Sequence, residues 1–110
     1  MIDEAQLKEL RLGFPGAERM SEAGKEYVFL PCLNISCAGT MHTVEGLLSL
    51  CEASPYPTRL FLSTQITEAG LNWNGSVRVM DRTWHTWSWK DVSSSSRLVQ
   101  ILAAHLRAFK

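Results

Sequence analysis

Two helical patterns bracket a middle of short apolar runs broken by proline and glycine, and that order restricts the chain to an α+β layer. The first pattern predicts a helix over about 3–12. Asp3 suits its N-cap, with Gln6 completing a capping box. Leu7, Leu10 and Phe14 repeat on one face, and Gly13 with Pro15-Gly16 ends it. Residues 16–25 are polar and read as a loop. Strands are expected over 26–35, where Pro31 implies an edge or a bend, and over 46–51 and 59–64. Pro55-Tyr56-Pro57 forces an extended turn between the last two. Asn74-Gly75 reads as the strongest hairpin signal, with Val77 and Val79 alternating around Arg78 behind it. The serines at 93–96 lead into a closing helix over about 95–108, with Leu98, Ile101, Leu102 and Phe109 as its apolar stripe. The economical arrangement is a single domain with an antiparallel meander of about four strands between the helices.

A chain of 110 residues supports one core, and 45% hydrophobic residues suffice to close it. Eleven basic and eleven acidic side chains cancel, which disfavours nucleic acid and anionic membranes as partners. No run reaches the roughly 20 apolar residues of a membrane span. Met1-Ile2-Asp3-Glu4 lacks a signal peptide's basic and apolar regions, so a cytoplasmic location is expected. Three cysteines do not make a disulfide framework. Cys32, Cys37, His42 and Cys51 match no compact zinc spacing, so no metal or other cofactor is expected.

The middle of the chain resembles the ubiquitin-conjugating superfamily. Tyr56-Pro57, then Leu60 to Ile66, is similar to that family's Tyr-Pro turn and following strand. Asn72 falls near the asparagine of its His-Pro-Asn motif. Trp87-Ser88 resembles its Trp-Ser-Pro step, and Trp84-x-x-Trp87-Ser88 the tryptophan-rich segment of a bacterial branch. The resemblance implies a conjugating-enzyme-like fold with an irregular active-site segment ahead of the last helix. It implies a ubiquitin-activating-enzyme-like protein and a ubiquitin-like protein as partners. Docking of the former on the first helix implicates Leu7, Lys8 and Arg11, and the Tyr56-Pro57 turn is a further contact. The family's cysteine is missing: residues 75–83 hold no thiol, and the histidine and proline beside Asn72 are absent too.

Acyl transfer needs a nucleophile and a donor for the oxyanion. Asn72 would be the donor, against its simpler use as a turn residue. Ser88 would be the nucleophile with His85 as its base, carrying the acyl group as an oxyester. Ser76 is a second hydroxyl nearby. Cys51 would be a relocated thiol, against the simpler reading of a small buried residue, which applies to Cys32 and Cys37 as well. Extended backbone would put Trp87 and Trp89 on one face with His85 and Trp84 on the other, most simply as core. A non-catalytic adaptor of the same fold, which only holds partner proteins, is the alternative to an acyltransferase.

Overall fold

A computed structural model describes residues 2–50, 52, 56–90 and 92–109. It is an α+β protein with an N-terminal helix, a six-stranded antiparallel sheet and a C-terminal helix. The elements are α1 (Glu4–Gly13), β1 (Glu18–Glu22), β2 (Lys25–Cys37), β3 (Thr40–Ser49), β4 (Arg59–Leu62), β5 (Gly75–Val79), β6 (Arg82–Thr86) and α2 (Leu98–Leu106). Short 3-10 turns cover Thr67–Ala69 and Arg107–Phe109. The order across the sheet is β1-β2-β3-β4-β6-β5. A meander runs as far as β4. The chain then crosses to the far edge as β5 and turns back through β6, which joins β4 at Leu62 and His85.

Three hairpins are closed by two-residue turns with positive φ at both central positions: Ala23-Gly24, Ala38-Gly39 and Met80-Asp81. Such turns match the right-handed twist of their strands. Asn74-Gly75, expected to turn a hairpin, instead enters β5, and the turn comes at Met80-Asp81. A methionine in left-handed backbone is unfavourable. Met80→Asn with Asp81→Gly is therefore expected to stabilise the protein by about 1 kcal/mol, seen as a higher urea midpoint at unchanged slope.

The sequence 16–25, expected as a loop, contains β1. That strand is an edge exposed on nearly all sides, so it shows no apolar alternation. Pro31 makes a bulge: Pro31 and Cys32 together stand opposite Glu45 alone, between the pairs Leu30–Gly46 and Leu33–Val44. β3 begins six residues before the expected start at Gly46, because its first half is too polar to read as apolar. α2 begins later than expected, at Leu98. The Ser93 hydroxyl accepts the Ser95 amide at 3.1 Å, so the serines turn locally rather than extend the helix.

The main core lies between one sheet face and both helices. It contains Leu7, Leu10, Val28, Leu30, Leu33, Leu48, Leu60, Leu62, Trp87, Leu98, Ile101, Leu102 and Phe109. Asp3 caps α1 through the Ala5 amide at 2.9 Å. Gln6 leaves the expected capping box and reaches across to the first amide of α2, at Leu98, at 3.2 Å. Arg97 pairs with Glu9 at 2.9 Å beside it, so the two helices are tied end to side.

A second, smaller core forms on the other sheet face from Tyr27, Leu47, Phe61, Val79 and Trp84. No helix belongs to it. The sheet instead curls over it, and the Glu22 carboxylate at the end of β1 accepts the Met80 amide in the β5–β6 turn at 3.1 Å. Arg82 lies over the Trp84 ring at 4.6 Å and pairs with Glu45. Among the described residues no helix is long and apolar enough to cross a membrane.

Candidate functional site

The three stretches that carry the family resemblance converge at one place. Tyr56 comes from the turn before β4, Asn72 and Asn74 from the coil before β5, and Ser88 from the chain just after β6. The Ser88 amide donates to the Asn72 carbonyl at 2.9 Å, which pins the two coils together. The Ser88 hydroxyl lies 2.7 Å from the Tyr56 hydroxyl and accepts the Asn74 side-chain amide at 3.1 Å. Arg59, at the start of β4, donates to the Asn74 side-chain oxygen at 3.1 Å. This fixes which way the Asn74 amide points: its oxygen faces Arg59, so its nitrogen faces Ser88.

Arg59 is the keystone of this ring. Its guanidinium lies over the Tyr56 ring at 4.1 Å, an arrangement that favours both groups. Gly75 packs closely against Thr86 beside it. A Cβ there would stand 3.5 Å from the guanidinium and 3.3 Å from the Thr86 methyl, and Gly75 has no positive φ to explain it otherwise. Gly75→Ala is expected to cost about 1 kcal/mol through crowding of the Thr86 methyl, checked by urea unfolding.

The Tyr56 phenol is held below the ordinary 10, first by its hydrogen bond to Ser88, then by Asn74 and by the positive charges of Lys90 and Arg59; partial burial opposes these. Among the described residues Arg59 and Lys90 form no ion pair with a carboxylate.

Behind the ring stands His105 on α2, 1% exposed. Thr58 has a single hydroxyl proton and gives it to the Val92 carbonyl at 2.8 Å. The contact from His105 Nε2 to Thr58 Oγ1 at 2.9 Å must then have the histidine as donor. Nδ1 is left bare, with no hydrogen-bond partner in the described protein. Burial, followed by the nearby Arg59 charge, pushes the imidazole down to about 4, so it is neutral near pH 7.

Not every expected site residue reaches this place. His85 is not bonded to Ser88. β6 ends at Thr86, and the Ser88 hydroxyl, on the coil beyond it, bonds to Tyr56 and Asn74 instead. His85 stands across the sheet from Ser76 and Leu62 instead. Asn72 contributes its backbone carbonyl, and Asn74 supplies the side-chain donor expected of it. Cys51 lies outside the described residues. Cys32 is exposed in the β2 bulge, whereas Cys37 is buried in the main core. Leu7, expected at a docking surface, is 1% exposed and packs inward. Lys8 is exposed, and Arg11 donates to the Ala17 carbonyl at 2.7 Å. Pro57 is half-buried beside Tyr56.

Asn74 and Arg59 were not among the expected site residues. Asn74 belongs to the Asn-Gly pair, which reads as a turn. Arg59 resembles any charged residue at a strand end, and only its tertiary neighbours give it away. Two surface depressions lie elsewhere. One, of about 530 Å³, is lined by Asn34, Ile35, Ser36, Ala38, Leu106 and Phe109. The other, of about 250 Å³, lies between the end of α1 and the β2 bulge. Neither is lined by the Tyr56–Ser88 ring. Among the described residues no three potential metal ligands converge.

No protein-family model matches the chain, and neither a curated protein nor a solved structure matches it.

Proposed function

We propose that this protein is a ubiquitin-conjugating-enzyme-like component of a bacterial ubiquitin-like pathway. It would receive a ubiquitin-like protein from an activating enzyme and position it at the surface around Tyr56, Asn74 and Ser88. The observation that carries the reading is the convergence of the Tyr-Pro turn, the Asn72–Asn74 coil and the Trp87-Ser88 step. Those segments are far apart in sequence, yet Tyr56 and Asn74 both reach the Ser88 hydroxyl. A surface cluster outside the two depressions suits a macromolecular partner better than an enclosed small ligand.

One departure from the expected outline bears on the chemistry. The stretch expected to fold as an irregular active-site segment is irregular over 70–74 and again over 87–89, and between them forms the β5–β6 hairpin that extends the sheet. No cysteine lies anywhere from Gly70 to Trp89. That absence favours the second reading, an adaptor of the same fold that holds its partners without forming a covalent bond to them.

The test mixes the protein with a bacterial activating enzyme, its ubiquitin-like protein and ATP, and follows gel filtration and intact mass. Co-elution with the ubiquitin-like protein is expected, weakened at least tenfold by Tyr56→Ala or Asn74→Ala, in the range of an interface hot spot. Co-elution with an adduct supports transfer, and co-elution without one supports the adaptor. Neither co-elution nor an adduct would overturn both.

A further inference from the structure

We infer that Ser88 and Tyr56 form a nucleophile–base pair that accepts an acyl group in place of the missing cysteine, with Asn74 and Arg59 positioning it. The inference rests on the acyl-transfer reading of this site.

The hydrogen bonds set the roles. Ser88 Oγ accepts from Asn74 Nδ2 at 3.1 Å, so its own proton is free to point along the 2.7 Å contact to Tyr56 Oη. A serine that donates to a phenolate is the activated form of that nucleophile. Arg59 over the ring and Lys90 nearby favour the phenolate, and the shift of Tyr56 below 10 runs in the same direction. Arg59 also holds Asn74, so the amide that orients Ser88 is itself oriented. The four groups come from the turn before β4, β4 itself, the β5 approach and the β6 exit. The site is therefore assembled by the sheet and not by one loop. Ser88 and Tyr56 are both half-buried and so partly open to solvent, which leaves an acyl donor access.

The step balances without a cofactor. The Ser88 oxygen attacks the carbonyl carbon of a thioester or an acyl adenylate, and its proton passes to the Tyr56 phenolate. The tetrahedral intermediate collapses with cleavage of the carbon–sulfur bond, or of the bond to the adenylate phosphate oxygen. The thiolate or adenylate departs. The leaving thiolate takes the proton from Tyr56, whereas the adenylate leaves as the anion and Tyr56 loses its proton to water. The product is an oxyester on Ser88.

The experiment needs no partner protein. The purified full chain is treated with p-nitrophenyl acetate, and the acetylated residues are located by peptide mass mapping. The expected result is a label on Ser88 ahead of the exposed serines 93–95, released by alkali or hydroxylamine and stable to thiol reductant. Its rate should rise with pH through the ionisation of Tyr56. Tyr56→Phe should slow labelling of Ser88 by about a hundredfold and abolish that rise. Ser88→Cys, which keeps a nucleophile in place, should be labelled as a thioester that reductant removes. Absence of label on Ser88 in the wild type, or an unchanged rate and pH profile in Tyr56→Phe, would overturn the pair. Either result leaves partner binding to be judged by co-elution, so failure here and failure of the pathway reading are separable.

Discussion

Trp87→Ala is expected to lower the unfolding free energy by about 3–5 kcal/mol, a large part of the stability of a domain this size. Trp87 is 1% exposed and stands at the centre of the main core. Its ring meets Phe109 at 5.0 Å, Trp73 at 5.2 Å and His105 at 6.4 Å, each edge to face. Alanine would leave a cavity that α2, the 3-10 turn after it and the coil before β5 all border. A milder pair of substitutions tests the chemistry of the same rings. Trp87 Nε1 has no hydrogen-bond partner in the described protein, so phenylalanine there loses volume but also removes a buried unpaired donor. Trp84 Nε1 donates to the Val79 carbonyl at 3.0 Å, so Trp84→Phe loses volume and a formed hydrogen bond. Trp84→Phe should therefore be the more destabilising of the two, by about 1 kcal/mol, in urea unfolding followed by far-UV circular dichroism. Equal costs would show that the indole donors carry nothing.

The second large effect is a loss of stability in mild acid. His105 has a folded pKa of about 4 against an ordinary value of 6.5. Below pH 6.5 the unfolded chain takes up a proton that the folded chain refuses, so stability falls as pH drops. The fall runs from about 6.5 to about 4 and then levels, because below 4 both states are protonated. The size of the shift corresponds to about 3 kcal/mol over that window. His105→Gln keeps a donor for Thr58 and cannot titrate in this range. Its stability should be flatter between pH 7 and pH 4.5 by about 2 kcal/mol, most of that amount, measured as the difference in urea unfolding free energy between variant and wild type. Parallel pH profiles for the two proteins would rule out His105 as the source.

The sequence made both helices legible, because their apolar residues repeat at helical spacing and become the buried stripes Leu7-Leu10 and Leu98-Ile101-Leu102. It also separated Trp84 from Trp87, since residues three apart on extended chain face opposite ways. The two rings occupy different cores. β1 escaped because an exposed edge strand has no apolar face to show. The hairpin turns escaped because Ala-Gly and Met-Asp are quiet beside Asn-Gly, although left-handed backbone occurs at the quiet ones. The site was half legible. Tyr56, Asn72 and Ser88 stood out through local motifs. Their link through Arg59 and Asn74 did not, because it depends on contacts between residues 14 to 32 positions apart. His85, the base expected for Ser88, lies three residues away along the strand, whereas the hydroxyl that reaches Ser88 belongs to Tyr56, just before β4.

The most direct measurement is the titration of Tyr56, read from its ring carbon attached to oxygen by NMR in wild type and in Ser88→Ala. If the four side chains form one connected site, Tyr56 ionises below 10 in the wild type and moves up toward 10 when the Ser88 hydroxyl is gone. Identical titration curves in the two proteins would mean that the hydroxyls do not touch, and the site as described would not exist.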